Sequence, residues 1–181
     1  MKKFKLTAES KINIFGKKLF RIKALISFGS VEEGETGGWV EKEENLNQSG
    51  NAWVSGNAMV SGNAMVSGNA RVSGNARVSG NAEVSGNARV SGNAEVSGNA
   101  EVSGNADYTT IHGFGTQFRT TTFFRCKDKQ IRVSCGCFFG TIPEFREQVK
   151  NTRNGKIAEE YLMIADLMEK HFEIPEEGER E

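Results

Sequence analysis

From residue 49 onward the chain sets a valine every six positions and an alanine four positions after each one, with serine, glycine and asparagine between them. The unit reads Ser-Gly-Asn-Ala-x-Val. It starts at Ser49-Gly50-Asn51-Ala52-Trp53-Val54 and runs for ten words without a break, the last, Ser103-Gly104-Asn105-Ala106-Asp107-Tyr108, with tyrosine in the place of valine. An apolar residue every six positions drifts around a 3.6-residue turn, so this period excludes a helix. It fits short strands joined at Gly-Asn corners. With valine inward, the flanking serine and x residues point outward by strand alternation. Alanine is small enough for an inner corner, and Gly-Asn tolerates the backbone angles of the turn.

Six residues then make one side and three units one triangular coil of 18 residues. Ten units give about three and a third coils, stacked about 4.8 Å apart. This is the signature of a solenoid. A bore lined by valine and alanine alone admits no ligand, so function is expected on the outer faces, between subunits or at the ends. Stacking every eighteenth residue predicts three outer ladders: Trp53, Arg71, Arg89, Asp107; Met59, Arg77, Glu95; and Met65, Glu83, Glu101. The first coil thus carries an apolar girdle of Trp53, Met59 and Met65. It needs a cover, either the N-terminal segment or a neighbouring subunit. The asparagines stack as well and predict amide ladders.

Solenoid ends expose strand edges and require caps. A hairpin is predicted at the N-terminus, with Ile12-Asn13-Ile14-Phe15 and Leu19-Phe20-Arg21-Ile22 joined at Gly16-Lys17. Val40 and Leu46 are six apart and predict two sides of an irregular first coil, with a two-residue slip before Val54. After the coil, residues 118–126 and 131–139 predict a second hairpin turning at Asp128-Lys129. Thr141-Ile142-Pro143-Glu144 is a capping box that opens a helix. A second helix over residues 156–172 carries the stripe Ile157, Tyr161, Ile164, Met168, Phe172. Leu162, Met163 and Leu167 widen that stripe beyond one face, which predicts burial between subunits.

The order Val54-Ser55-Gly56-Asn57-Ala58 resembles the hexapeptide-repeat, left-handed β-helix family: an aliphatic residue, a small one, two free positions, a small one. The lead-in, Phe20 to Leu25, Gly37-Gly38-Trp39-Val40-Glu41 and Glu44-Asn45-Leu46, is similar to that of hexapeptide proteins of phages and prophages and of the YdcK group. The resemblance implies a left-handed coil, where general chain chirality favours right-handed crossovers. It also implies a homotrimer and a phage or prophage accessory role. Hexapeptide acyltransferases use a histidine near the coil as general base, with acyl-CoA lying between subunits. The expected fold is mainly β: an N-terminal cap (1–48), the β-solenoid (49–108), a C-terminal α+β domain of ββαα order (109–174) and an acidic tail (175–181).

Composition narrows the functions. Lys plus Arg number 23, as do Asp plus Glu, so the broad positive field that attracts nucleic acid or anionic membranes is missing. No apolar run is long enough to span a membrane, and Met1-Lys2-Lys3-Phe4-Lys5 lacks a signal-peptide core. An odd count of 3 cysteines fits a reducing cytoplasm. Their spacing, Cys126, Cys135 and Cys137, is not that of a zinc site, and no metal is expected.

Two constellations remain. The predicted hairpin register sets Arg125 opposite Arg132, with Arg119 on the same face. Such like charges need a neutraliser: Glu159, Glu160, the acidic tail, or an external anion. His112, just past the coil, is the one candidate base. The expected function is therefore a non-catalytic scaffold without a cofactor. It binds a host protein or small anionic ligand through Arg119, Arg125 and Arg132, and assembles through Trp53, Met59, Met65, Leu162 and Leu167. The alternative is an acyl- or nucleotidyl-transferase with His112 and acyl-CoA at the subunit seam.

Overall fold

The computed structural model describes residues 2–173; the acidic tail lies outside them. Strands β1 (Phe4–Ile12) and β2 (Lys18–Ala24) pair antiparallel, and β3 (Thr36–Val40) continues the sheet beside β2. The N-terminal hairpin is thus longer than the sequence pattern predicts, and Ile14 and Phe15 sit in its turn, not in its strand. Asn13 is the cause. Its Oδ1 accepts from the N–H groups of Phe15 and Lys17, both at 2.9 Å, and Gly16 adopts φ +74° to close the loop.

Nine two-residue strands follow among the described residues, from β4 (Trp53–Val54) to β12 (Glu101–Val102). They stack in parallel as three sheets, one per side of the prism. The first joins Trp53, Arg71 and Arg89. The second joins Met59, Arg77 and Glu95, and continues above through Trp39 into the N-terminal hairpin. The third joins Met65, Glu83 and Glu101. Val40 pairs with Val60 and Leu46 bridges Val66, each 20 residues on, whereas Val54 meets Val72 after 18. The irregular first coil and its two-residue slip are therefore real.

Every alanine and valine from Ala52 to Val102 lines the interior at 1 % exposure or less. Each buried valine contributes about 1.5–3 kcal/mol. The corner glycines leave no alternative. Gly80 has φ +68°, and a Cβ there would lie 2.9 Å from the Gly98 nitrogen one coil below. Lys3 closes the slip. Its Nζ donates to the carbonyls of Ser49, Gly50 and Ala52 at 3.3, 3.3 and 2.9 Å, satisfying groups that no coil above can reach.

The tenth unit abandons the pattern. Asn105–Asp107 form a 3-10 turn, and Tyr108 opens a new strand instead of filling a valine slot. A four-stranded antiparallel sheet follows: β13 (Tyr108–Phe114), β14 (Arg119–Arg125), β15 (Ile131–Cys135) and β16 (Phe138–Thr141). It has two strands more than the predicted hairpin. Helix α1 (Ile142–Thr152) starts at the expected capping box. The Glu144 N–H donates to Thr141 Oγ1 at 3.3 Å, and the Thr141 N–H donates to Glu144 Oε2 at 2.7 Å. Helix α2 (Gly155–Phe172) packs Tyr161, Ile164, Met168 and Phe172 into a second core with Phe123, Val133 and Phe145. β14 plugs the open end of the solenoid: Phe124 enters the valine core, and Thr122 Oγ1 accepts from the Glu95 N–H at 3.0 Å.

Candidate functional site

A concavity of about 830 Å³ forms where three distant segments converge. The second side of the solenoid gives its floor, with Arg77 and Glu95 joined at 3.0 Å. The tip of the N-terminal hairpin gives one lip, Ile14 and Phe15. The C-terminal sheet gives the other, through His112, Phe118, Arg119, Cys137 in the β15–β16 turn and Phe139 in β16. Its size falls in the range of small-molecule and peptide sites.

The rim is unusually apolar. Ile14 and Phe15 are each 70 % exposed, Phe118 65 % and Phe139 49 %. Single exposed apolar residues are ordinary, but a group around one concavity marks an interaction surface. Phe118 also holds φ 48°, a conformation that costs a bulky residue free energy and presents its ring at the cleft mouth.

Arg119 enters the cleft and has no carboxylate partner among the described residues. The other two arginines of the predicted anion site are not with it. Arg132 faces Phe124, and Arg125 faces Ile131, so the two do not oppose each other. The turn shifts the register by one residue. Cys126 pairs with Gln130 around three residues, with Lys129 at φ 66° as the extra one, where a two-residue turn was expected. Each arginine is neutralised internally, and not by Glu159 or Glu160. Arg125 Nε lies 3.6 Å from Asp107 Oδ1, and Arg132 Nη2 lies 2.7 Å from Asp128 Oδ2.

His112 lines the cleft, exposed, with Nδ1 3.3 Å from Thr120 Oγ1. The threonine can fix the ring and leave Nε2 toward the cleft. The cysteines do not converge. Cys126 is buried beside Ala100, and burial pushes its thiol up to about 11. Cys135 accepts from the Thr121 hydroxyl at 3.1 Å, and Cys137 sits in the β15–β16 turn. Among the described residues no group of three or more His, Cys, Asp or Glu could hold a metal ion, and no helix is long and apolar enough to cross a membrane.

The apolar girdle divides. Trp53 is only 2 % exposed and is covered by the chain's own N-terminal segment, edge-on to Phe4 and Phe28 with ring centroids at 6.5 and 5.5 Å. It is core and has no surface to offer a subunit. Met59 is half-buried near the hairpin tip, and Met65 is exposed. Leu162 packs partly into the C-terminal core, while Leu167 and Met163 are exposed side by side on α2.

The apolar rim escaped the sequence reading because its members are scattered along the chain: Ile14 and Phe15 in one turn, Phe118 in another and Phe139 in β16. Phe15 beside Gly16, and Phe118 three residues after Gly115, are the faint signals that remain. A model of the YdcK beta solenoid repeat matches residues 52–68, 58–74, 70–85 and 82–98, all within the stacked coils. No curated protein matches the chain. The 18-residue coil, its three parallel sheets and these repeat matches agree: the central segment of the chain is a β-solenoid built from repeats of the YdcK type.

Proposed function

We propose that this protein is a non-catalytic binding protein whose solenoid rigidly spaces and supports the cleft. The cleft takes a short extended segment of a partner protein. Apolar side chains of the partner cover Phe15, Phe118 and Phe139, and a carboxylate meets Arg119. The observation that carries this reading is the coincidence, around one concavity, of four large exposed apolar residues and an arginine with no carboxylate partner among the described residues. A phage or prophage accessory setting, with a host protein as the partner, rests on the resemblance of the lead-in segment. Homotrimeric assembly belongs to the same reading and is supported by exposed Met65, Met163 and Leu167.

The test compares proteins captured from a bacterial host extract by the wild type and by Phe118→Ser/Arg119→Glu, with quantitative mass analysis. A defined partner held by the wild type and lost from the variant is expected. Identical captures refute the role of the cleft.

One observation favours a second reading, group transfer: His112 lies in that same cleft, bonded to Thr120. Calorimetry with acetyl-CoA and nucleotides separates the two. Binding that places the acyl or phosphoryl group beside His112, with turnover lost in His112→Ala, would replace the scaffold reading.

A further inference from the structure

The three ladders of the solenoid treat charge differently. On the second side Arg77 alternates with Glu95, and the two form an ion pair at 3.0 Å. On the third side Glu83 stacks on Glu101, and Lys127 reaches across at 2.6 Å to neutralise Glu83. On the first side Arg71 stacks in register on Arg89, and among the described residues neither guanidinium has an acceptor or a carboxylate partner. Like charges directly adjacent in a sheet repel. Here no described residue answers them.

Beside this pair runs a groove of about 450 Å³. Its walls are Arg71 and Arg89 and the asparagine column Asn51, Asn69, Asn87 and Asn105, with Gly29 at one end. Every side chain in it is a guanidinium or an amide, and none is a carboxylate. In the column each amide donates to the next: Asn51 to Asn69 at 3.0 Å, and Asn69 to Asn87 at 3.1 Å. The series stops there. Asn105 has turned its Oδ1 to the backbone N–H of Arg89 at 2.9 Å, so the Asn87 amide has no asparagine oxygen below it.

Arg89 is held from both ends. Asn105 takes its N–H, and the Tyr108 hydroxyl donates to its carbonyl at 2.5 Å. Both partners come from the tenth unit, where the pattern breaks. A backbone fixed on both sides presents the guanidinium from a rigid platform, which lowers the entropic cost of binding.

We infer that the Arg71–Arg89 groove is an oxyanion-binding site for a tetrahedral phosphoryl or sulfuryl group, gripped between two stacked guanidiniums with the Asn87 amide as a further donor. Guanidinium forks match such oxygens, and the anion removes the repulsion of the pair. This site lies on a different side of the solenoid from the cleft and stands whether or not the cleft binds a protein.

The experiment follows thermal unfolding of the full chain against inorganic phosphate, with chloride at matched ionic strength as the reference. Adenosine monophosphate against adenosine forms a second arm, which tells a free ion from a phosphate ester. The wild type is expected to gain melting temperature saturably with phosphate and not with chloride. Arg71→Gln and Arg89→Gln should each weaken the response about tenfold, while Lys150→Gln, on α1, leaves it intact. Arg89→Glu recreates the Arg77–Glu95 arrangement. It is expected to melt higher than the wild type in phosphate-free, low-salt buffer and to lose the phosphate response. Equal responses to phosphate and chloride in the wild type, or an unchanged response in both Arg→Gln variants, overturn the site.

Discussion

Arg125 leans on Asp107, with Nε and Oδ1 3.6 Å apart, and so ties the C-terminal sheet to the last turn of the solenoid. Burial works against the Asp107 carboxylate. The N–H groups of Ser103 and Gly104, the Ser103 hydroxyl and Arg125 outweigh it and hold the carboxyl below the usual aspartate range. Asp107→Asn is therefore expected to cost about 1–2 kcal/mol at neutral pH. The folded carboxyl titrates below the unfolded one. Its contribution is complete above the unfolded value and vanishes as pH falls through the folded one. Denaturant melts of the two proteins should differ at neutral pH and converge in acid.

Lys3 gives a dependence of the same sign in a more alkaline window. Desolvation lowers its pKa from 10.5 to about 8, since its ammonium faces three carbonyls and the Phe28 ring but, among the described residues, no carboxylate. The unfolded chain then holds more protons than the folded one between those values, so stability rises with pH across that interval. Lys3→Met removes the titrating group. The wild type should gain stability from about pH 8 to about pH 10, and the slope should be smaller in the variant.

Trp53 and Leu167 separate capping from assembly. Trp53→Ala removes a buried ring beneath the N-terminal segment and is expected to cost about 3–5 kcal/mol. Leu167→Glu charges an exposed position and should leave unfolding of the subunit nearly unchanged. If the α2 face joins subunits, light scattering will show the wild type as a trimer and Leu167→Glu with a smaller mass.

The stacked coils tolerate neither a smaller core nor a larger corner. Val78→Ala opens a void in a filled bore and should cost about 1–3 kcal/mol. Gly80→Ala meets a left-handed backbone, at about 1–2 kcal/mol, and in addition a contact at 2.9 Å with the coil below. Both are read from denaturation midpoints, with Gly80→Ala expected to be the more damaging.

The solenoid was legible because one word repeats: valine spacing alone gives the coil, the ladders and even the slip at Val40 and Leu46. The C-terminal register was not, because Lys129 takes a positive φ with no glycine or asparagine to announce it. One silent residue moved Arg132 from Arg125 to Phe124. β13 was hidden because Tyr108 imitates the sixth place of a tenth unit. The cleft could not be read at all, since Phe15, Arg77 and Phe118 meet only after the coil has wound.

Because every coil presents the same valines and alanines to its neighbours, nothing inside the stack distinguishes one floor from the next. Alignment is dictated from outside, by the slip at Leu46 and the stop at Tyr108. Whole 18-residue floors can therefore be added or withdrawn while both termini dock as before, and the distance between the two caps becomes a quantity set in equal steps by counting words.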